Sequence, residues 1–172
     1  QITYACMRAI YNRNEGVCAP LITSQNVSNY VKGAEGASLS GDGRCEFPEA
    51  KVLAVEDIAL NMILIKKVLS QFGVQTDTAE NGAVAYDKMK QNLYDVVFMD
   101  CHMPKMDGFE ATRKIREFEH DNDKSPQKIV ALTADAMVGD REKCLAAGMD
   151  DYVNKPFKKS EILTMLQKWV DA

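Results

Sequence analysis

Asp95-Val96-Val97-Phe98-Met99-Asp100-Cys101-His102-Met103-Pro104-Lys105-Met106-Asp107-Gly108 is the stretch on which the reading of the chain turns. Residues 95–99 are almost unbroken apolar side chains over the length of one strand, the pattern of a strand covered on both faces. The run ends on an acid, Asp100, and enters a loop punctuated by Pro104 and Asp107-Gly108. A third helix is expected from 108 to about 118, with Phe109, Thr112 and Ile115 turned inward. Upstream, residues 51–55 form a short apolar run that stops at Glu56-Asp57. Apolar residues then recur at Ile58, Met62, Ile65, Leu69 and Phe72, one stripe of a helix that Gly73 ends. Residues 74–79 read as a second strand, and Asn81-Gly82 opens a second helix reaching about residue 92.

Downstream the alternation continues. Residues 120–127 are polar and hold Pro126, so they form a loop; 128–132 are a fourth strand. A fourth helix spans about 140–147 and stops at Gly148, and residues 152–154 make a short fifth strand before Lys155-Pro156. The last helix, about 160–170, faces inward with Ile162, Leu163, Leu166 and Trp169, with Ser160 as its expected N-cap. Five strands alternating with five helices predict an α/β protein built on one doubly wound parallel sheet. Residues 1–49 differ. A short helix at 3–11 and a strand at 20–23 are the candidates there, followed by Ser, Asn, Gly and charge of linker composition; the expected division is 1–49 extension and 50–171 domain.

Composition narrows the function. The 172 residues are 46% hydrophobic and 27% charged, ordinary for a globular protein. A net charge of −4 without a basic stripe argues against nucleic acid as partner. No apolar run has the length of a membrane span, so this segment is expected to make no direct membrane contact and to work in the cytoplasm, even where a parent protein is membrane-anchored. Five cysteines at irregular spacing, with two histidines and no CxxC, predict thiols in a reducing compartment and no structural zinc site. The chain starts on Gln1 and carries no signal-peptide pattern, and is read as a piece of a longer protein or a processed product.

In a doubly wound sheet, ligands bind beyond the carboxyl ends of the strands. Glu56 and Asp57 end the first strand, Asp100 the third and Thr133 the fourth, and Lys155 follows the fifth. Three carboxylates in one pocket repel, at about 4 kcal/mol per pair for ~4 Å and an effective dielectric near 20. A bound metal and Lys155 would relieve this, and few, hard oxygen ligands with room for water suit Mg²⁺, or Mn²⁺ in its place. Such a corner fits phosphoryl transfer, where positioning and charge stabilisation supply most of the catalysis, with Asp100 as a carboxylate nucleophile.

The run Asp100-Cys-His-Met103-Pro104-Lys-Met106-Asp107-Gly108, together with Glu56-Asp57, Leu132-Thr133-Ala134 and Lys155-Pro156-Phe157, resembles the receiver domain of two-component response regulators over about residues 50–171. Met-Asp-Cys-His-Met-Pro with the later Ala-Gly-Met-Asp-Asp-Tyr is most similar to receivers at the C-terminus of hybrid histidine kinases. The resemblance implies a flavodoxin-like sheet of order 2-1-3-4-5 and a cis Lys155-Pro156 bond. It implies Asp100 as phosphoacceptor, Asp57 and Asp100 as direct Mg²⁺ ligands, Glu56 acting mainly through a metal-bound water, and the backbone carbonyl of His102 as a further ligand. Lys155 would contact the phosphoryl group and hold Asp100 when it is empty. Thr133 would bond a phosphoryl oxygen, and Tyr152 would be the aromatic that turns inward on activation. The partners implied are a histidine kinase domain and a histidine phosphotransfer protein, with the fourth helix, fifth strand and fifth helix as switching face and homodimer surface.

Bland readings stand beside these. Glu56-Asp57 would also suit a helix cap, Thr133 a core filler, and Asp150-Asp151 a solvated loop. The His102 side chain is expected to face solvent beside the site, where it and Asp135 would bear on phosphoryl loss. A stand-alone phosphohydrolase with an aspartyl nucleophile would want a second Asp two residues on, where His102 stands. A phosphorylation-independent binding platform would not need all five site residues. No Asp-x-Gly-x-Gly stretch is present, so the chain is not expected to be a kinase by itself. An end just after the last helix, without a DNA-binding segment, favours relay over transcription control.

Overall fold

The computed structural model describes residues 38–39, 45–134 and 138–170. The helix expected at 3–11, the strand at 20–23 and Asp135 lie outside the described residues. Within residues 24–49, read as linker, Ser38–Leu39 pairs antiparallel with Cys45–Glu46. The packed part of the chain then reaches back to Phe47, which is buried and whose N–H donates to the Phe72 carbonyl at 2.7 Å.

The main sheet has five parallel strands: β1 (Lys51–Val55), β2 (Gln75–Ala79), β3 (Val96–Asp100), β4 (Lys128–Thr133) and β5 (Asp151–Asn154). Their order is β2-β1-β3-β4-β5, and every pairing is parallel. Between them run α1 (Ala59–Ser70), α2 (Gly82–Gln91), α3 (Gly108–Asp121) and α4 (Val138–Ala146), and α5 (Lys159–Trp169) closes the domain. The order reverses beside β1, so a crevice opens at the carboxyl ends of β1 and β3.

Strand alternation divides the core. Val52 and Ala54 of β1, Val96 and Phe98 of β3, and Val130 and Leu132 of β4 join Ile65 and Leu69 of α1 and Ile162, Leu163 and Leu166 of α5. Leu53, Val55, Val97, Met99, Ile129 and Ala131 face the other way, against Ala85 and Met89 of α2, Ala111 and Ile115 of α3, and Cys144 of α4. All five residues of β3 are buried, as its unbroken apolar run requires.

Three local readings need correction. Ile58 does not join the α1 stripe: it is the extended residue before the helix and is 53% exposed. Ser160 is not the cap of α5, because the helix already begins at Lys159 with Lys158 as its N-cap; the Glu161 carboxylate reaches back to accept from the Lys158 N–H at 2.7 Å. Phe109 is only half-buried, and Ala111 takes the inward place beside Thr112 and Ile115. Other signals translate directly. The Asn81 side chain caps α2, accepting from the N–H groups of Ala83 and Val84 at 3.0 Å. Asp107 caps α3 through the Glu110 N–H at 2.7 Å. The Lys155-Pro156 peptide is cis.

Candidate active site

Five residues converge at the carboxyl edge of the sheet because each ends, or follows, a different strand. Glu56 and Asp57 follow β1, Asp100 ends β3, Thr133 ends β4 and Lys155 follows β5. Asp100 lies opposite Leu132 in the register, which sets Thr133 one residue beyond it. The Lys155 N–H donates to the Thr133 carbonyl at 2.6 Å, continuing the β4–β5 ladder into the site.

The Lys155 ammonium bridges two buried acids, at 2.6 Å from Glu56 Oε2 and 2.8 Å from Asp100 Oδ2. The other oxygens are also held. Glu56 Oε1 accepts from Asn61 Nδ2 at 3.0 Å and from the Ile58 N–H at 3.3 Å, so Glu56 does contact the start of α1. Asp100 Oδ1 accepts from the His102 N–H at 3.2 Å. Glu56, Asp100 and Thr133 are buried, whereas Asp57 is exposed and completes the acidic cluster from the solvent side. One carboxylate oxygen from each of Glu56, Asp57 and Asp100 lies within 4.8 Å of the others.

Charge explains the titration of this corner. Burial pushes the Asp100 carboxyl above its ordinary value; Lys155 pulls against this and Glu56 adds to it. Burial by itself would lower the Lys155 pKa, but its hydrogen bonds to Asp100 and Glu56 outweigh that and hold the ammonium above its usual value. The two shifts share a direction but not a cause: burial dominates at Asp100, and the paired carboxylates dominate at Lys155. Hard oxygens, an unbalanced negative charge and one solvent-facing ligand are what a small divalent cation such as Mg²⁺ fits.

Tyr152 lies outside this cluster. It is half-buried on β5, paired with Ala131 and packed on the α2–α3–α4 side of the core, with the Arg141 guanidinium 6.0 Å from its ring centre. The His102 side chain is exposed and meets the Phe109 ring edge-on at 5.8 Å between centroids. Asn61 and Gly108 went unread as site residues. Asn61 fixes Glu56 from one turn into α1 and carries no motif. In sequence Gly108 looks like a turn residue, yet a Cβ there would overlap the Asp100 carbonyl oxygen. Behind the site, Arg116, paired with Glu119 of its own helix at 2.6 Å, ties α3 to the loop before β5 through the Gly148 carbonyl at 2.9 Å and Asp150 at 2.8 Å.

Comparison with known proteins follows the geometry. The chain is 44% identical over 126 residues to hybrid signal transduction histidine kinase B of Dictyostelium discoideum, an alignment covering 69% of this chain and 6% of that protein. It is 38% identical over 119 residues to the sensor protein GacS of Pseudomonas syringae pv. syringae, covering 69% of this chain and 13% of that protein. The chain thus spans a small fraction of the curated relatives it matches. Among solved structures, the receiver domain of sensor histidine kinase PA1611 from Pseudomonas aeruginosa PAO1, with a magnesium ion coordinated in its active-site cleft, superposes with a TM-score of 0.65 at 40% identity, covering 72% of this chain and 98% of that one. The co-crystal of the Saccharomyces cerevisiae phosphotransfer protein Ypd1 with the receiver domain of Ssk1 matches at a TM-score of 0.69 and 32% identity, covering 72% of this chain and 90% of that one. The model of the response regulator receiver domain matches residues 52–167. With that match, the strand order and the acidic corner at the switch point, the chain belongs to the response regulator receiver domain family.

Proposed function

We propose that Asp100 accepts a phosphoryl group from a phosphohistidine, in a Mg²⁺-dependent reaction, and that the domain passes this signal on in a phosphorelay. The observation that carries the reading is the Lys155 ammonium set between Glu56 and Asp100, with Asp57 closing the acidic cluster. In the transfer, an Asp100 carboxylate oxygen attacks phosphorus, the bond from phosphorus to the imidazole nitrogen breaks, and the freed electron pair stays on the imidazole. Lys155 offsets charge on the transferred group and orients Asp100 beforehand. Thr133, one residue past the register partner of Asp100, supplies a hydroxyl to a phosphoryl oxygen. Asp57 and Asp100 would hold the metal, with Glu56 and the His102 backbone carbonyl completing the set of residues that would serve it; Mn²⁺ would serve in place of Mg²⁺. When bound, the metal neutralises the acids and charge on the phosphoryl oxygens.

The partners are a histidine kinase domain and a histidine phosphotransfer protein. The co-crystal of Ypd1 with a receiver domain and the hybrid-kinase relatives support this choice. A donor histidine must reach Asp100 from above the carboxyl edge, and there α1 presents Leu60, Ile63 and Leu64, respectively 73%, 63% and 44% exposed. Spaced three and four apart, they form one apolar stripe, suited to a helical partner. Tyr152, α4, β5 and α5 form the switching face and the surface for a homodimer. A reducing, cytoplasmic setting within a larger hybrid kinase is the context this reading favours; no described helix is long and apolar enough to cross a membrane.

The test is incubation with acetyl phosphate and Mg²⁺ followed by intact mass. One added phosphoryl group is expected, absent in Asp100→Asn and in EDTA. A phosphohydrolase would instead turn over aryl phosphates without a lasting adduct, and a binding platform would take up no phosphoryl group.

A further inference from the structure

Two sulfurs that phosphoryl chemistry does not use face each other inside the core beneath α2–α4. Cys101 Sγ lies 3.8 Å from Cys144 Sγ, and both residues are buried. They belong to elements with different duties. Cys101 directly follows Asp100 and is fixed by both of its backbone groups: its N–H donates to the Leu132 carbonyl at 3.1 Å, and its carbonyl accepts from the Gly108 N–H at 3.1 Å. Cys144 rides on α4, a nine-residue helix whose neighbouring Lys143 and Leu145 are exposed. Among the described residues, the exposed side chains of α4 thus flank a sulfur that points inward. A disulfide needs the sulfurs at about 2.05 Å, so closing the 3.8 Å gap calls for a side-chain turn or a shift of α4.

We propose that Cys101 and Cys144 are a reversible dithiol–disulfide pair which, once oxidised, straps α4 to the end of β3. With a hydroperoxide as two-electron oxidant, the Cys144 sulfur attacks the peroxide oxygen, the O–O bond breaks, and an alcohol or water leaves with the thiol proton, giving a sulfenic acid. The Cys101 sulfur then attacks the sulfenic sulfur; the S–O bond breaks and the departing hydroxide takes the Cys101 proton as water. A small thiol reductant returns both cysteines by exchange. Because both sulfurs are buried and one rides on α4, oxidation samples the moments when this helix lifts, and the strap then fixes the helix in place. The bearing of the strap on signalling rests on the Asp100 reading; the cross-link itself does not.

The experiment uses the full chain carrying Cys6→Ser, Cys18→Ser and Cys45→Ser, so that only one intramolecular pairing remains. Hydrogen peroxide should yield a species lighter by two hydrogens. A proteolytic map should join the peptides of residues 101 and 144, and dithiothreitol should reverse the change. Cys144→Ala, still folded by circular dichroism, should give no such species. Sulfenic or higher adducts alone, intermolecular dimers alone, or no modification of the folded chain would each overturn the pairing. Hydrogen exchange then tests the strap: amides of α4 should exchange at least about tenfold more slowly in the oxidised chain. Equal exchange in the two forms overturns the strap. Neither readout involves phosphoryl uptake, so its outcome stands apart from that of the acceptor assignment.

Discussion

Gly108 lies against the backbone of Asp100: a methyl group on its Cα would overlap the Asp100 carbonyl oxygen and sit 3.0 Å from the Met99 side chain. The first turn of α3 is thereby pressed onto the end of the strand that carries Asp100. Its neighbour Gly82 is less tightly confined, with an added methyl 2.7 Å from the Met106 carbonyl oxygen and 2.9 Å from that of Asp107. Neither clash is with a flexible side chain, so α3 or the loop after β3 must move to relieve it. Gly108→Ala should cost at least about 3 kcal/mol in urea unfolding, and Gly82→Ala on the order of 2 kcal/mol. If Gly108→Ala unfolds like the parent chain, the close approach is not a constraint.

Lys155 separates two buried acids, so its removal has effects of opposite sign with and without metal. In Lys155→Met, Glu56 and Asp100 face each other uncompensated, and the metal-free domain should lose about 3 kcal/mol. A divalent cation is then the remaining relief, and Mg²⁺ affinity should rise roughly tenfold, about 1.4 kcal/mol. Phosphoryl uptake should nonetheless fall steeply. Calorimetric titration with Mg²⁺ measures this, and weaker binding in the variant would contradict the charge argument.

Asp100→Asn should stabilise the metal-free domain at neutral pH, because burial holds the Asp100 carboxyl above its ordinary value. With the folded pKa raised, the fold binds this proton more tightly than the unfolded chain does. The cost of the buried charge is complete above the folded value and fades as pH falls through it toward the unfolded one. The variant should therefore melt a few degrees higher at pH 7, worth on the order of 1–2 kcal/mol, and its advantage should shrink on acidification. Thermal melts in EDTA across pH read this out. An advantage that grows in acid would reverse the sign.

Much of this arrangement was legible in the sequence because a parallel sheet places side chains by rule. Once 95–99 is read as a buried strand, Asp100 must stand at its carboxyl end, and the same logic brings Glu56, Thr133 and Lys155 to one edge. What stayed hidden are contacts that strand order brings near without fixing. The Lys155–Glu56 pair spans 99 positions and the Cys101–Cys144 contact 43, and neither leaves a local pattern. Ile58 continued the 4-3 spacing, which is blind to where a helix begins; the backbone there is extended and the side chain turns out. Ser160 is a good capping residue, but Glu161 reaches back three residues and starts α5 earlier. The Arg116, Glu119 and Asp150 network joins α3 to the loop before β5, and Glu119, 2% exposed, reads in sequence as an ordinary surface acid of a charged helix.

Mg²⁺ should stabilise the domain by mass action, since the acidic cluster exists only in the fold. At a concentration of one hundred times Kd the gain is about 2.7 kcal/mol, several degrees in melting temperature. Asp57 is the exposed member of the cluster, so Asp57→Ala should fold normally while losing most of this gain. A variant that keeps the full Mg²⁺-induced shift would remove Asp57 from the ligand set.

The α1 stripe separates chemistry from recognition. Leu60 and Ile63 are 73% and 63% exposed and make no part of the core, so Leu60→Asp with Ile63→Asp should leave stability within about 0.5 kcal/mol. Acetyl phosphate is too small to use this surface, and its transfer to Asp100 should stay within about twofold of the parent rate. Under the proposed docking, a phosphorylated phosphotransfer protein, with Ypd1 as the probe, buries the stripe to bring its histidine over the carboxyl edge. Two buried charges in place of two anchoring side chains should slow that transfer at least about tenfold, a loss of ~1.4 kcal/mol that two such contacts readily supply. Equal slowing with both donors would point to damage at the site. No slowing with either would move the docking surface off α1.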